Sequence, residues 1–276
     1  MKAIRTFALA CAVSAVALNG ALAQTSSGAP SKGTYEPHSG QAGKDVVWVP
    51  TPQALVDRMM KMAEVTKDDY LVDLGSGDGR TVITAARLGV RAHGIEYNGD
   101  LVELSKRNAQ AAGVADLATF ERADIFESDF SKATVVTLFL LKALNLKLRP
   151  TLLDMKPGTR VVSNTFDMGD WTPDDKIDAG GDCTSWCTAY KWVIPAKVGG
   201  TWRLGEGELK LSQTYQMLSG TIETNGKSVP ISNARMDGTK ITFTADGQRY
   251  TGEVADGKMS GQTDGGQSWS ATRTAS

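Results

Sequence analysis

The segment from Tyr70 to Arg80, YLVDLGSGDGR, sets three glycines at alternate positions directly after a short apolar run. No other stretch restricts the fold as tightly. The run ends in an acid, Asp73, and a helical pattern starts at Arg80. Glycine lacks a Cβ, so a turn built from it can take positive φ and let a ligand approach the backbone. Strand, glycine turn and helix in this order mark the carboxyl edge of an open α/β sheet, where nucleotide-type ligands bind. Glu96 closes the next apolar run, 21 residues after Gly75. Such folds place a ribose-binding carboxylate at a spacing of about 20 residues.

The glycine register separates two ligand classes. A dinucleotide fingerprint reads G-x-G-x-x-G, and its third glycine allows the helix to pack closely on the strand. Arg80 holds that place here, which disfavours a nicotinamide oxidoreductase, as does the lack of a hydride-handling His or Tyr-Lys pair. The block from Asp73 to Gly79, D-x-G-x-G-x-G, resembles motif I of the class I S-adenosylmethionine-dependent methyltransferases. Gly94-Ile95-Glu96-Tyr97-Asn98 and Ala123-Asp124-Ile125 are similar to the second and third motifs. The segments Leu140 to Pro150 and Lys156 to Asn164, with Trp48-Val49-Pro50-Thr51-Pro52 upstream, narrow the likeness further. They resemble the protein-lysine methyltransferases acting on ATP synthase and adenine nucleotide translocase subunits, together with bacterial relatives of unassigned substrate. The resemblance spans roughly residues 45 to 195. Lys142 stands where that family pattern has a proline, which bears on the acceptor loop.

The resemblance implies S-adenosyl-L-methionine as cofactor and assigns roles around it. Gly75, Ser76, Gly77 and Gly79 shape the loop under its aminoacyl and ribose parts, and Asp73 holds that loop and faces the aminoacyl group. Glu96 accepts from the ribose hydroxyls, Tyr97 and Ile125 sandwich the adenine, and Asp124 accepts from the adenine amino group. No dedicated catalytic residue is required. Asn145 is a candidate for orienting an amine, or else it caps the following helix. Trp48 and Thr51 are candidates for a lid. Asp167, Asp170 and Trp171, after the fifth strand, are candidates for the acceptor pocket or for loop caps. The implied acceptor is a protein amine, its identity open.

Alternating strand and helix patterns predict a Rossmann-like doubly wound sheet over residues 45–196. Thr51 and Pro52 read as N-cap and first-turn proline of a helix reaching about Glu64. Strands are expected at 70–74, 91–96, 118–122, 134–141 and 159–164, with a helix over 144–153. A final hairpin uses 176–179 and 185–194, with no helix before it. Beyond residue 197 the pattern changes. Asn225-Gly226, Asp237-Gly238, Asp246-Gly247, Asp256-Gly257 and Asp264-Gly265 are hairpin turn dipeptides between alternating segments. Residues 197–276 therefore read as a small antiparallel β-meander or barrel, with Trp202 and Trp269 near its ends.

Residues 1–23 have the form of a secretory signal: Lys2 and Arg5, an apolar stretch from Phe7 to Leu18, and Ala21-Leu22-Ala23. Export to a periplasm is expected. The apolar stretch is too short to span a bilayer, and no transmembrane segment is expected. Residues 24–44, rich in Ser, Gly, Thr and Pro, read as a disordered linker. Cys183 and Cys187 either form a disulfide, as an oxidising compartment favours, or remain two thiols. The two histidines, His38 and His93, do not share metal-ligand spacing with them, so no metal site is expected. A formal net charge of −1 gives no basic surplus for nucleic acid. Two function classes remain: a methyltransferase, in the family's manner a protein-lysine N-methyltransferase, or an exported non-catalytic Rossmann-like scaffold whose β-rich tail binds an envelope component.

Overall fold

A computed structural model describes residues 35–181 and 183–274. The expected signal, and the linker up to residue 34, lie outside the described residues. The first half of the described chain forms a seven-stranded sheet. Its strands are β1 (Tyr70–Leu74), β2 (Arg91–Glu96), β3 (Ala118–Arg122), β4 (Val135–Leu138), β5 (Arg160–Asn164), β6 (Asp175–Asp178) and β7 (Thr188–Val193). The order is β3-β2-β1-β4-β5-β7-β6. The first five strands are parallel, and the β6–β7 hairpin adds antiparallel to β5. Helices α1 (Gln53–Met62), α2 (Arg80–Arg87), α3 (Gly99–Ala111) and α4 (Lys142–Leu153) complete this half.

The near-continuous apolar strands follow from burial on both faces. Leu71, Ala92, Val135 and Val162 share one core with Leu55 and Met59 of α1, Val82 of α2 and Val102 of α3. Val72, Leu74, Val136 and Val161 point the other way, into a core with Leu148 and Leu152 of α4. Strand order reverses between β1 and β4, so the loops after these strands diverge and leave a crevice at their carboxyl ends.

Some boundaries differ from the sequence expectation. Thr51 does not cap α1. Pro52 holds the cap position without a side-chain bond, and the buried Thr51 hydroxyl accepts from Asn164 Nδ2 at 3.2 Å. The expected strand 134–141 stops at Leu138, because Phe139 and Leu140 turn out to line the crevice. The last part of the expected linker is ordered: Ala42 bridges Val47, and residues 41–49 lie across the crevice. Apolar and charged contacts made only in the folded state outweigh a composition typical of disorder.

The second half is a closed eight-stranded antiparallel barrel running from β8 (Gly200–Leu204) to β15 (Ser268–Arg273), which pair with each other to close it. Asn225-Gly226, Asp246-Gly247 and Asp256-Gly257 have positive φ at both residues, the conformation of tight hairpin turns matched to strand twist. Trp202 is fully buried and its Nε1 donates to the Val198 carbonyl at 2.8 Å. Trp269 packs edge-on to Phe243 and Tyr250. A Cβ on Gly252 would lie 2.6 Å from the Trp269 ring, so glycine there makes room for the indole.

Trp171 joins sheet to barrel. It is buried, its Nε1 donates to Gln216 Oε1 at 3.0 Å, and its ring stacks on Tyr215. Gln216 Nε2 donates in turn to the Thr172 carbonyl at 2.7 Å. Arg235 of the barrel pairs with Asp174 at 2.7 Å.

Candidate functional site

The glycine turn lies at the carboxyl end of β1. Gly75, Gly77 and Gly79 take φ of 80°, 55° and 82°, the left-handed region that other residues enter at a cost. The amides of Gly75 and Ser76 both donate to the Ile95 carbonyl, at 2.8 and 3.1 Å, so the turn is pinned to the end of β2. Gly77 forms the cradle itself: a Cβ there would lie 2.5 Å from Trp48 Nε1. Gly79 differs from expectation. It is the N-cap of α2, and a Cβ would strike the Phe120 ring at 2.8 Å and Ser105 at 2.9 Å. Gly79 therefore serves close packing behind the crevice, and it is absent from the lining, where Gly75, Ser76 and Gly77 are found.

Glu96 points at the turn. Its Oε2 accepts from the Gly77 amide and its Oε1 from the Asn98 amide, each at 2.9 Å. A carboxylate offers about four lone-pair positions, so each oxygen keeps one for a hydroxyl in the crevice. Asn98 then caps α3 by accepting from the Asp100 amide at 2.9 Å, which fixes the chain after Glu96. Tyr97, Asp124 and Ile125 line the same crevice. Counted out to its open side, it holds about 1010 Å³ free of atoms, within the range of small-molecule sites.

The strap of residues 41–49 supplies what the sequence reading missed. Lys44 Nζ lies 2.5 Å from Asp124 Oδ2 and 5.1 Å from the centre of the Tyr97 ring. The Lys44 ammonium, with the Phe126 amide, holds the Asp124 carboxyl below the usual range. Lys44 falls within a segment of linker composition, so no local pattern could have marked it. Trp48 and Thr51, the proposed lid residues, also line the crevice, as do Phe139 and Leu140.

Asp73 is the most perturbed acid. Burial raises its pKa to about 7, and the charges of Glu96 and Asp78 add to the rise against the Thr137 hydroxyl. That hydroxyl donates to Asp73 Oδ1 at 2.6 Å. An acid at this depth favours a cationic group beside it.

Other candidates lie elsewhere. Asn145 is fully buried within α4, and its Nδ2 donates to Ser163 Oγ and the Phe166 and Asp167 carbonyls at 3.2, 3.0 and 3.3 Å. Leu141 is the N-cap of that helix. Asn145 thus neither caps α4 nor reaches the crevice; it ties α4 to the loop after β5. Trp171 belongs to the barrel junction, not to an acceptor pocket. Asp170 pairs with Arg149 at 2.5 Å and accepts from the Tyr215 hydroxyl at 3.0 Å. Asp167 pairs with Lys142 at 3.0 Å. Among the described residues no cluster of three or more His, Cys, Asp or Glu side chains could hold a metal.

Residues 73–175 match the ANTKMT methyltransferase domain family. A protein-lysine N-methyltransferase of Saccharolobus islandicus (strain REY15A) is 43% identical over 164 residues, 58% of this chain and 97% of the relative. An ATP synthase lysine N-methyltransferase of Mus musculus is 31% identical over 188 residues, 67% of this chain and 74% of the relative. The chain belongs to this family of class I S-adenosylmethionine-dependent methyltransferases. Among solved structures, an RNA methyltransferase from Salinibacter ruber in complex with S-adenosyl-L-homocysteine shares 54% identity. The match covers 54% of this chain and 96% of that one, with a TM-score of 0.51. The protein is thus an S-adenosylmethionine-dependent methyltransferase, and the reading as a non-catalytic scaffold is set aside. The crevice suits that cofactor: a cradle at Gly77 too shallow for a Cβ, two free acceptor positions on Glu96, and a buried acid that favours a cation.

Proposed function

We propose that this methyltransferase modifies the side-chain amine of protein lysines. The observation that carries this reading is the makeup of the crevice mouth. Phe139, Leu140, Leu141, Val47 and Trp186 surround it, and the nearby cations are paired, Lys44 with Asp124 and Lys142 with Asp167. Such a mouth accepts an aliphatic chain ending in nitrogen. It gives no run of free cations for a phosphate backbone, and phosphate contacts dominate RNA affinity. The names of the lysine-modifying relatives support the same reading, whereas the Salinibacter ruber protein favours RNA as the competing acceptor.

Within this reading, Glu96 grips the ribose hydroxyls, and Tyr97 and Ile125 flank the adenine. Asp124 shares its carboxylate between Lys44 and the adenine amino group. Asp73, with Gly75, Ser76 and Gly77, receives the aminoacyl end. The bound cofactor supplies an electrophilic methyl group on a sulfonium. The protein's work is alignment and exclusion of water around an unprotonated amine. We also propose a catalytic domain over 45–196, a barrel domain over 197–276, and export through residues 1–23. The disulfide between Cys183 and Cys187 supports export, since such bonds persist in oxidising compartments.

The test is incubation of the mature protein with methyl-labelled S-adenosylmethionine and, separately, envelope protein and total RNA. Label on lysine, lost with Glu96→Ala, is expected. Label confined to RNA would overturn the lysine assignment.

A further inference from the structure

A second hollow adjoins the cofactor crevice, and both share the strap from Ala42 to Val47, with Phe139 and Leu140. Three aromatic rings stand at its far side. Phe139 and Phe166 lie 6.2 Å apart, Phe139 and Trp186 5.7 Å, and Phe166 and Trp186 6.0 Å, between ring centres. A closed triangle of rings is a common core motif, but this one is not core: Trp186 is 43% exposed. The ring is also held out by its backbone. Trp186 has φ of 56°, a region that bulky residues avoid unless their surroundings impose it. The imposing element is the Cys183–Cys187 disulfide, whose Cα atoms are 5.7 Å apart. Both cysteines pack on the apolar core beside Ile177 and Ala189, so the loop is closed and anchored on either side of the indole. Among the described residues, Asp45 is the one acid lining this hollow.

Resting on the lysine reading, we infer that the Phe139–Phe166–Trp186 triangle is the acceptor subsite, taking a lysine side chain with apolar neighbours, and that the Cys183–Cys187 disulfide sets its geometry. The continuity of the two hollows lets a chain enter over the rings and end at the cofactor. Aromatic faces attract an ammonium electrostatically and pack against its aliphatic stem, and Asp45 adds a matching charge at the rim. In the transfer, the amine first gives a proton to solvent. Its nitrogen lone pair then forms the C–N bond as the S–CH₃ bond breaks, with that electron pair staying on sulfur. Trp186 is a binding residue here, and the disulfide is a positioning element acting through it.

The experiment uses the mature protein, S-adenosylmethionine and a synthetic peptide holding one lysine between two leucines. Trp186→Ala should raise KM for the peptide about tenfold, in line with the loss of one cation–π face. The kcat should stay within about twofold, and affinity for S-adenosylhomocysteine should not change. Trp186→Phe should restore most of the loss. Cys187→Ser, or reduction of the wild type, should raise the peptide KM several-fold with the same cofactor affinity. Unchanged peptide KM in Trp186→Ala, or an equal fall in cofactor affinity, would overturn the subsite while leaving lysine methylation standing. Calorimetry of the peptide against protein saturated with S-adenosylhomocysteine provides the second readout. No peptide binding to wild type there, with label passing only to RNA, would overturn the lysine reading and the subsite together.

Discussion

Asp73→Asn tests the electrostatics of the cofactor turn. Asp73 titrates near 3.8 when exposed and at about 7 when folded, chiefly through burial. Between those values the native state holds a proton that the unfolded state has lost. Stability then falls as pH rises through this window, and the loss is complete above about pH 7. At about 1.4 kcal/mol per pH unit, the window is worth about 4 kcal/mol. Asparagine cannot titrate, and its carbonyl can still accept from the Thr137 hydroxyl now 2.6 Å from Asp73. The stability of wild type relative to Asp73→Asn should therefore decline by about 4 kcal/mol from pH 4 to pH 7.5. For a chain this long that is roughly 10 °C in relative Tm. Calorimetric scans of cofactor-free protein at half-unit pH steps read it directly. Parallel Tm curves for the two proteins would refute the argument, because they would mean that Asp73 is ionised in the native state throughout.

Gly77→Ala should weaken S-adenosylhomocysteine binding at least tenfold, since the new methyl collides with Trp48 at a backbone φ unsuited to alanine; adding Trp48→Ala should recover part of the affinity, as isothermal calorimetry would show. Lys44→Met should move the Asp124 carboxyl back up toward its ordinary pKa, followed by NMR, and should speed dissociation of S-adenosylhomocysteine several-fold in stopped flow. Gln216→Leu should cost about 3 kcal/mol in denaturant unfolding, because it strands the buried Trp171 Nε1 and the Thr172 carbonyl without partners.

The parts legible in the sequence are those set by local chemistry. Alternate glycines after an apolar run can serve few purposes besides a tight, left-handed turn, and Gly75 and Gly77 are found in one at the ligand edge. Period and spacing placed Glu96 at the end of β2, and its carboxylate does reach the turn. The Asn-Gly and Asp-Gly pairs announced the barrel because both of their residues tolerate positive φ. The roles of Gly79 and Asn145 were not legible. Each depends on what a distant segment brings against it, Phe120 and Ser105 in one case and the loop after β5 in the other. Trp171 was misplaced for the same reason, as its partners Tyr215 and Gln216 lie over 40 residues away and belong to the barrel.

What the sequence determined alone was the sheet, its cofactor turn and the meander, since backbone sterics and apolar periodicity act over a few residues and leave a written trace. Tertiary structure decided the rest. Only folding could lay the linker-like strap over the crevice, pair Lys44 with Asp124, join Cys183 to Cys187 and bring three aromatic rings to one mouth. These contacts link residues far apart in the chain. Their energy comes from burial and charge proximity in space, neither of which composition or spacing records.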